Sequence, residues 1–457
     1  MSRSLTNIVI KKFSILFIGF IFLVLNLFTL SARSQGVRPL SLQETIDLSL
    51  KNSHILKASS ARNEQADAAV KQALDNRLPN ASVSGSYLYM ANPDLTLKTK
   101  AFGEGSDTSG NKTAIPHINQ AMYGIANVSL PVYAGGKIRY GIESAKYLQQ
   151  AATLDVENDK EGVILNTIEA YINLYKASVT VNVVKENLSQ SEQRDSVLSR
   201  LEQNGLLARN DLLKSELQTS NIQLSLLDAE SNLKIANVNM NLLIGLPENT
   251  ILQPDSTGFD KNMNAKTIDD YEQLALQNRK DVLALSFREK AAITGISVAK
   301  ADKYPTIALT GGYIAADIPH LLAITNAANI GVGLKYDIAS LWKSKSKIAE
   351  AKSKVEEIVA NEAELSDGVR LQVNRDFENF LLSQKKTEVY KKAVVQAEEN
   401  YRITKNKYDN ALVNTTDLLD ANVSLLQSKI NLAVSKADVL LAYSKLLETT
   451  GTLSNNQ

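Results

Sequence analysis

Apolar positions in this chain recur with two periods, and the switches between them divide it into elements. From Gly136 to about Gln203, and again from Trp342 to about Asp409, the spacing is helical. Each stretch holds 68 residues, so a straight helix there would be about 100 Å long. Val394, Ala397, Tyr401, Thr404 and Tyr408 recur at alternating steps of 3 and 4, the rhythm of helices wound around one another. The return segments are more regular still. Leu418, Leu425, Leu432, Val439 and Leu446 step by seven, with Ala421, Ser428, Ser435 and Ala442 between them. Upstream, Leu212, Thr219, Leu226, Leu233 and Met240 interleave with Ser215, Ile222, Ala229, Ala236 and Leu243. Large residues alternating with small ones let helices approach closely along a seam.

Shorter helical segments precede each long one. Ser41-Leu42-Gln43-Glu44 is a capping box that predicts a helix running to about Arg77. Thr267 to Asp270 opens a matching helix downstream. Both should stop before a proline, at Leu78-Pro79 and Tyr304-Pro305. The period then changes to two. Ala81 to Met90 sets Val83, Tyr87 and Tyr89 on one face and Ser82, Ser84 and Ser86 on the other. Tyr123 to Tyr133, Thr306 to Ala315 and Asn329 to Ile338 are further strand candidates. Alternating segments of about ten residues, rich in small and aromatic side chains, carry the pattern of transmembrane barrel strands. A soluble hairpin would read the same way. Turn-rich loops, Pro93 to Asn119 and Asp317 to Ala327, separate the members of each pair. Four strands cannot close a barrel wide enough for a pore, so membrane-spanning strands would need several chains to share one.

The pattern is written twice. Asp211-Leu212-Leu213 lies 206 residues before Asp417-Leu418-Leu419. The same offset pairs Gly162 with Gly368, Lys137 with Lys343 and Gly245 with Gly451. Further upstream the offset becomes 226, pairing Ser41 with Thr267, Asn52 with Asn278, Pro79 with Pro305 and Tyr87 with Tyr313. This is a tandem repeat, with extra residues in the first copy between Tyr87 and Pro131. The first repeat spans 35–245, with a hairpin at 81–133 and a turn at 204–211. A connector follows at 246–266. The second repeat spans 267–451, with a hairpin at 306–338 and a turn at 410–417. Residues 452–457 are expected to be a disordered tail. Gly162 and Gly368, inside the long helices, suggest a kink or a close helix approach.

Residues 1–34 read as an export signal. Arg3, Lys11 and Lys12 precede an apolar run from Phe13 to Leu30, and Ala32-Arg33-Ser34 suits a signal peptidase. A retained anchor is the other reading, but Ser14, Gly19, Asn26 and Thr29 dilute the run. No later segment is apolar enough to span a bilayer as a helix, so an exported chain that crosses a membrane would do so by strands.

Composition narrows the chemistry. Net charge is +1, which favours neither nucleic acid nor an anionic surface. There are no cysteines, which removes disulfides, thiolate ligands and a cysteine nucleophile. The three histidines are His54, His117 and His320, and the last two fall in hairpin loops. No phosphate-binding loop, metal-spaced cluster or nucleophile–base pair is present. The chain is not expected to be an enzyme, nor to hold a metal or cofactor.

The paired aspartates Asp417 and Asp420 stand three apart, on one face of a helix. Acidic residues suit a helix N-terminus, and capping alone would account for Asp211 and Asp417. Asp420 lies deeper, and its counterpart at the 206 offset is Lys214. In an oligomer whose helices surround a pore, such a pair would make rings of carboxylates, a device for cation selectivity.

Taken together, the repeat, LPNASVSGSY, LPVYAGGK, NGLLARNDLLKSE, TDLLDA and the terminal Leu446-Leu447-Glu448-Thr449-Thr450-Gly451 resemble the TolC family of outer membrane efflux proteins. The resemblance covers about residues 37–452. It implies an α+β membrane protein: a long α-helical coiled-coil tunnel plus a transmembrane β-barrel shared by a homotrimer, embedded in the outer membrane lipid of a Gram-negative bacterium, with the helices in the periplasm. It implies partnership with a periplasmic adaptor and an inner-membrane transporter in a tripartite efflux or type I secretion system. Adaptor docking would fall on Gly205, Leu206, Leu207, Ala208, Ala411, Leu412, Val413 and Asn414. The gate would be Asp417, Asp420, Tyr408 and Asp211, with Tyr408 and Asp211 in contact when closed. Ala411 stands where the family usually has a hinge glycine, and Val413 where some members carry an arginine. Lys335-Tyr336-Asp337-Ile338 replaces the usual proline-containing strand exit. A soluble periplasmic coiled-coil scaffold is the competing reading.

Overall fold

The computed structural model describes residues 37–91, 119–255, 259, 266–319, 322–410 and 412–456. The expected leader, His117, His320 and Ala411 lie outside the described residues. The first half runs β1 (Arg38–Leu40), α1 (Leu42–Asn52), α2 (His54–Asp75), β2 (Asn80–Tyr89), β3 (Gln120–Ala134), α3 (Lys137–Gln203) and α4 (Arg209–Ile244). Then come β4 (Leu252–Pro254), α5 (Ile268–Asn278), α6 (Lys280–Ala301), β5 (Thr306–Ile318), β6 (Leu322–Lys335), α7 (Ser340–Asp409) and α8 (Thr415–Thr449). No described helix is long and apolar enough to cross a membrane.

The chain divides into two compact units. One gathers the described residues up to Leu56, Lys160–Ala275 and Leu371 onward. Its core joins Ile164, Ile168 and Ile172 of α3 to Met240 and Ile244 of α4 and Leu440 and Leu447 of α8. Leu40 and Leu252 enter it from β1 and β4, which pair in parallel. The fully buried Tyr171 ties these strands to α3. Its hydroxyl lies 2.9 Å from the Leu40 carbonyl and 2.8 Å from that of Asp255, and accepts from the Asp255 N–H at 2.9 Å. Heptad positions Leu212, Ser215, Thr219 and Ile222 of α4, and Leu418, Ala421, Ser435 and Ala442 of α8, are buried as their spacing predicts.

The other unit comprises Lys57–Asp159 and Leu276–Arg370. Small buried residues, Ala151, Ala284, Ala291 and Ala301, let its helices approach closely. Polar ties add register. Ser144 donates to the Ala291 carbonyl at 3.1 Å, and Arg288 pairs with Asp155. Its four strands form one antiparallel sheet in the order β2-β3-β5-β6. Gly135, at the exit of β3, has φ +60, and a Cβ there would lie 2.7 Å from the Ala301 carbonyl oxygen. Only glycine meets both demands.

Several expectations need correction. The helix expected from Ser41 to Arg77 is two, broken at Ser53, and its counterpart breaks at Arg279. Both break residues take extended backbone, and the Ser53 hydroxyl accepts from the Leu56 N–H at 3.2 Å, opening a second helix. The Ser41 cap forms, but Glu44 pairs with Arg38 rather than closing the box, whereas Thr267 and Asp270 make both reciprocal bonds. The loop expected over Asp317 to Ala327 is mostly strand, and the last strand ends at Lys335 instead of Ile338. It continues through a bulge where Asn326 adopts φ 59 and the Tyr313 hydroxyl bonds both its side chain and its N–H. No neighbour lies within 4 Å of a Cβ placed on Gly162 or Gly368, so no helix of the same chain approaches either one closely. The described part of the tail is ordered: Leu453–Asn456 forms a 3-10 turn, Leu453 is buried, and the Ser454 N–H and hydroxyl both donate to the buried Glu161 carboxylate. A buried carboxylate requires such donors.

Burial pushes the Tyr171 phenol up to about 12. A raised folded-state value means that its stabilisation is complete below the unfolded value of about 10 and is lost as pH rises through the folded one. Stability should therefore decline between about pH 10 and 12. Tyr171→Phe strands buried backbone groups and should cost about 1–3 kcal/mol, read from urea unfolding followed by helical circular dichroism. The variant should also lose the decline attributable to this phenol.

Candidate functional site

Two regions carry chemistry beyond packing: the four-stranded sheet and the pair of helix-to-helix turns. In the sheet, register decides which side chains share a face. The ladder Ala81–Val128–Gly311–Ile330 and the ladder Val83–Ala126–Tyr313–Ala328 lie on one face. Asn80–Ser129–Thr310–Gly331 and Ser82–Asn127–Gly312–Asn329 lie on the other. The first face continues through Leu309 and Val332, and it is bare. Val83 is 85% exposed and Ile330 82%. A contiguous apolar face of this kind marks a surface that another apolar medium covers. The two ladders on the opposite face carry hydroxyls, amides and glycines, and the next one along, Ser84–Ile125–Ile314–Ala327, is mostly apolar. The outer edges of β2 and β6 have no strand partner among the described residues.

The turns lie in the other unit. At the end of α3, the Leu206 N–H bonds the Leu201 carbonyl at 2.8 Å, and Gly205 has φ +71. At the end of α7, the Leu412 N–H bonds the Lys407 carbonyl at 2.8 Å. The first helix end is closed by a six-residue loop with its glycine in the left-handed conformation, and the second makes the same N–H to carbonyl bond. Leu206 and Leu412 are 75% and 73% exposed, apolar side chains presented to solvent at each turn. Leu207 and Val413 are half-buried, and Gly205, Ala208 and Asn414 are exposed.

The helices that leave the turns start differently. Ala208 precedes α4 and offers no side-chain cap. Asn414 precedes α8 and caps it. Its side-chain oxygen accepts from the Asp417 N–H at 3.0 Å, and the Asp417 carboxylate accepts from the Asn414 N–H at 3.2 Å. Asp417 is thus a capping residue, while its charge remains exposed. Asp420 lies one turn deeper, on the exposed side opposite the buried Leu418, Leu419 and Asn422. Its carboxylate has no hydrogen bond or ion pair among the described residues. At the first turn Lys214 takes the equivalent position and lies 3.5 Å from Asp211. One turn is therefore locally neutral and the other doubly acidic. The Tyr408 hydroxyl meets Thr415 at 3.4 Å, so the structure does not bring Tyr408 and Asp211 together in the single chain.

A polar cluster behind the first turn was not evident from sequence. The Asp195 carboxylate accepts from the Ser215 and Thr219 hydroxyls, and Arg194 Nε donates to Ser215 at 3.2 Å. Burial pulls the Arg194 guanidinium below its usual value, opposed by Asp195 and by the phenols of Tyr401 and Tyr408. The buried small polar residues at seam positions 215 and 219 were the available signal.

This fold is that of outer membrane channel proteins. It is similar to the outer membrane protein VceC of Vibrio cholerae, with a TM-score of 0.73, 18% identity, and coverage of 90% of this chain and 96% of that one. A family model described as outer membrane efflux protein matches residues 45–246 and 272–452, and the chain belongs to that family. It is 22% identical over 414 residues to the outer membrane efflux protein BepC of Brucella suis biovar 1 (strain 1330), covering 88% of this chain and 89% of BepC. It is 23% identical over 373 residues to the outer membrane protein TolC of Vibrio cholerae serotype O1, covering 76% of this chain and 84% of that protein. The chain is an outer membrane protein of efflux transport.

Asn414→Ala removes the acceptor for the Asp417 N–H and should destabilise the start of α8 by about 0.5–2 kcal/mol. Hydrogen exchange should quicken at the Asp417 amide while amides near Leu440 hold their protection.

Proposed function

We propose that three copies of this chain share a twelve-stranded barrel in the outer membrane and continue as a helical tunnel into the periplasm, gated at the paired turns. The observation that carries this reading is the sheet with one bare apolar face and two unpaired edges. In hydrocarbon every backbone group needs an internal partner, and four strands are too few to close on themselves. Pairing β6 of one copy with β2 of the next removes both edges. The serine- and asparagine-lined face then surrounds water. A second stripe on α4, with Leu217, Leu224, Ile235 and Leu242 all more than 60% exposed, supports helix packing between copies. A soluble scaffold would leave both surfaces uncovered.

The recurring element order fits a tandem duplication. The channel serves a tripartite efflux or type I secretion system and passes small molecules or proteins received from an inner-membrane transporter. A periplasmic adaptor docks on Gly205–Ala208 and residues 411–414, where the exposed Leu206 and Leu412 offer apolar anchors. Tyr408 and Asp211 belong to the closing contact between assembled chains. Asp417 and Asp420 face the lumen as six carboxylates at the narrowest point.

Purified protein should run as a trimer in mild detergent and form cation-selective channels in a planar bilayer. Asp417→Asn with Asp420→Asn keeps an acceptor at the cap and removes the charge, so selectivity should fall and block by trivalent cations should disappear. A conducting monomer would overturn the shared barrel, and unchanged selectivity would leave the carboxylates as capping groups only. Docking has its own test. Leu206→Glu with Leu412→Glu should abolish export and adaptor cross-linking while trimers still form, and export that survives both changes places docking elsewhere.

A further inference from the structure

Where the strands give way to helices, the sheet-bearing unit forms an open cavity of about 390 Å³. It is bounded by the ends of β3, β6 and α6 and the starts of β5, α3 and α7. Its charge is unbalanced. Lys137, Lys335, Lys343 and Lys347 line it with only two carboxylates, Asp302 and Asp337. Asp302 takes both Lys137, at 2.8 Å, and Lys347, at 2.9 Å. These two ammonium groups hold its carboxyl below the usual range. Asp337 accepts from the Ala339 N–H at 3.1 Å. Lys335 and Lys343 have no side-chain partner among the described residues.

Two hydroxyls lack partners as well. Ser340 and Ser344, one turn apart on α7, line the same cavity and are 8% and 1% exposed. Neither Oγ makes a hydrogen bond. A helix serine ordinarily donates to the carbonyl four residues back, and buried hydroxyls without any partner are rare. At the start of α3 only Lys343 has a like counterpart, Lys137: Ala134, Ile138 and Gly141 stand 206 residues before Ser340, Ser344 and Lys347. The two hydroxyls belong to the second copy alone.

We propose that this cavity binds a phosphate group, with Lys335 and Lys343 supplying charge and the Ser340 and Ser344 hydroxyls turning to donate to its oxygens. A tetrahedral oxyanion offers acceptors in several directions and carries one to two negative charges, which suits two hydroxyls and two uncompensated ammonium groups. The phosphate could arrive free or on a phospholipid head. Tyr304 lines the cavity, and Tyr336 and Trp342 are exposed beside it. Such aromatic residues collect at the membrane–water boundary, which favours the lipid head. That choice of source rests on the barrel reading, whereas the anion chemistry does not.

Trp342 is the only tryptophan in the chain and adjoins Lys343, so its fluorescence reports on the site. The full-length protein in a neutral detergent is titrated with inorganic phosphate, with short-chain phosphatidylglycerol and with diacylglycerol, using fluorescence and calorimetry together. Saturable binding of a phosphate-bearing probe and none of diacylglycerol is expected. Lys343→Gln and Ser344→Ala should each weaken it by about tenfold, the effect of losing one charge-assisted hydrogen bond. Binding of phosphatidylglycerol that inorganic phosphate does not displace assigns a lipid, and binding of phosphate alone assigns a free anion. No saturable binding, or binding that Ser344→Ala leaves unchanged, overturns the proposal. Bilayer conductance of Ser344→Ala should equal that of the parent, which separates failure here from failure of the channel reading.

Discussion

An amide or carbonyl that leaves water must find another partner, and this constraint organises the molecule. The four-stranded sheet satisfies it only between its own strands and leaves two edges open. Its faces then diverge, one bare and apolar, the other carrying hydroxyls and amides over the ladders of Ser82 and Ser129. A sheet so divided is unfit for water on one side and for hydrocarbon on the other. The same demand operates on a smaller scale elsewhere. Tyr171 gathers three backbone groups around one hydroxyl, and Glu161 draws the N–H and hydroxyl of Ser454. In each case the chain around a buried polar group is arranged to answer it.

Charge placement follows a different logic. At the first turn Asp211 and Lys214 cancel, while at the second Asp417 and Asp420 add. The capping box around Asn414 holds the helix start in place without consuming the outward field of the carboxylates. Structure and electrostatics thus share one group, because the Asp417 carboxylate accepts from the Asn414 N–H and still carries its charge. The polar cluster of Arg194, Asp195, Ser215 and Thr219 supplies the register of the first helical hairpin behind its turn.

Much of this was legible in the sequence because it depends on local periodicity. Heptad positions such as Leu212, Ile222, Leu418 and Leu446 are buried where their spacing puts them, and the alternation of Ser82, Val83 and Ser84 reports the two faces of the sheet. What stayed hidden depends on distant encounters. β1 and β4 are three residues each and pair across the whole first half of the chain, so neither has a pattern of its own. The breaks at Ser53 and Arg279 cost the helical rhythm a single residue, too little to disturb its period. Bare apolar residues on α4, such as Leu217 and Leu224, look like core residues until the packing is known. The polar cavity beside the sheet draws on six separate elements, and Ser340 and Ser344 carry no motif.

The bond between Ser454 and Glu161 spans 293 positions of the chain, and the unit that contains it is drawn from three separated stretches. Contacts of such long sequence separation form slowly, because the loop must close before they repay its entropy. The helix around Glu161 therefore emerges long before the donors that complete it. During synthesis and export it must wait, half-finished, with an unanswered charge in what will become its interior. Order of arrival, as much as final packing, is thus written into the architecture: this unit can close only when its third stretch returns to the first two.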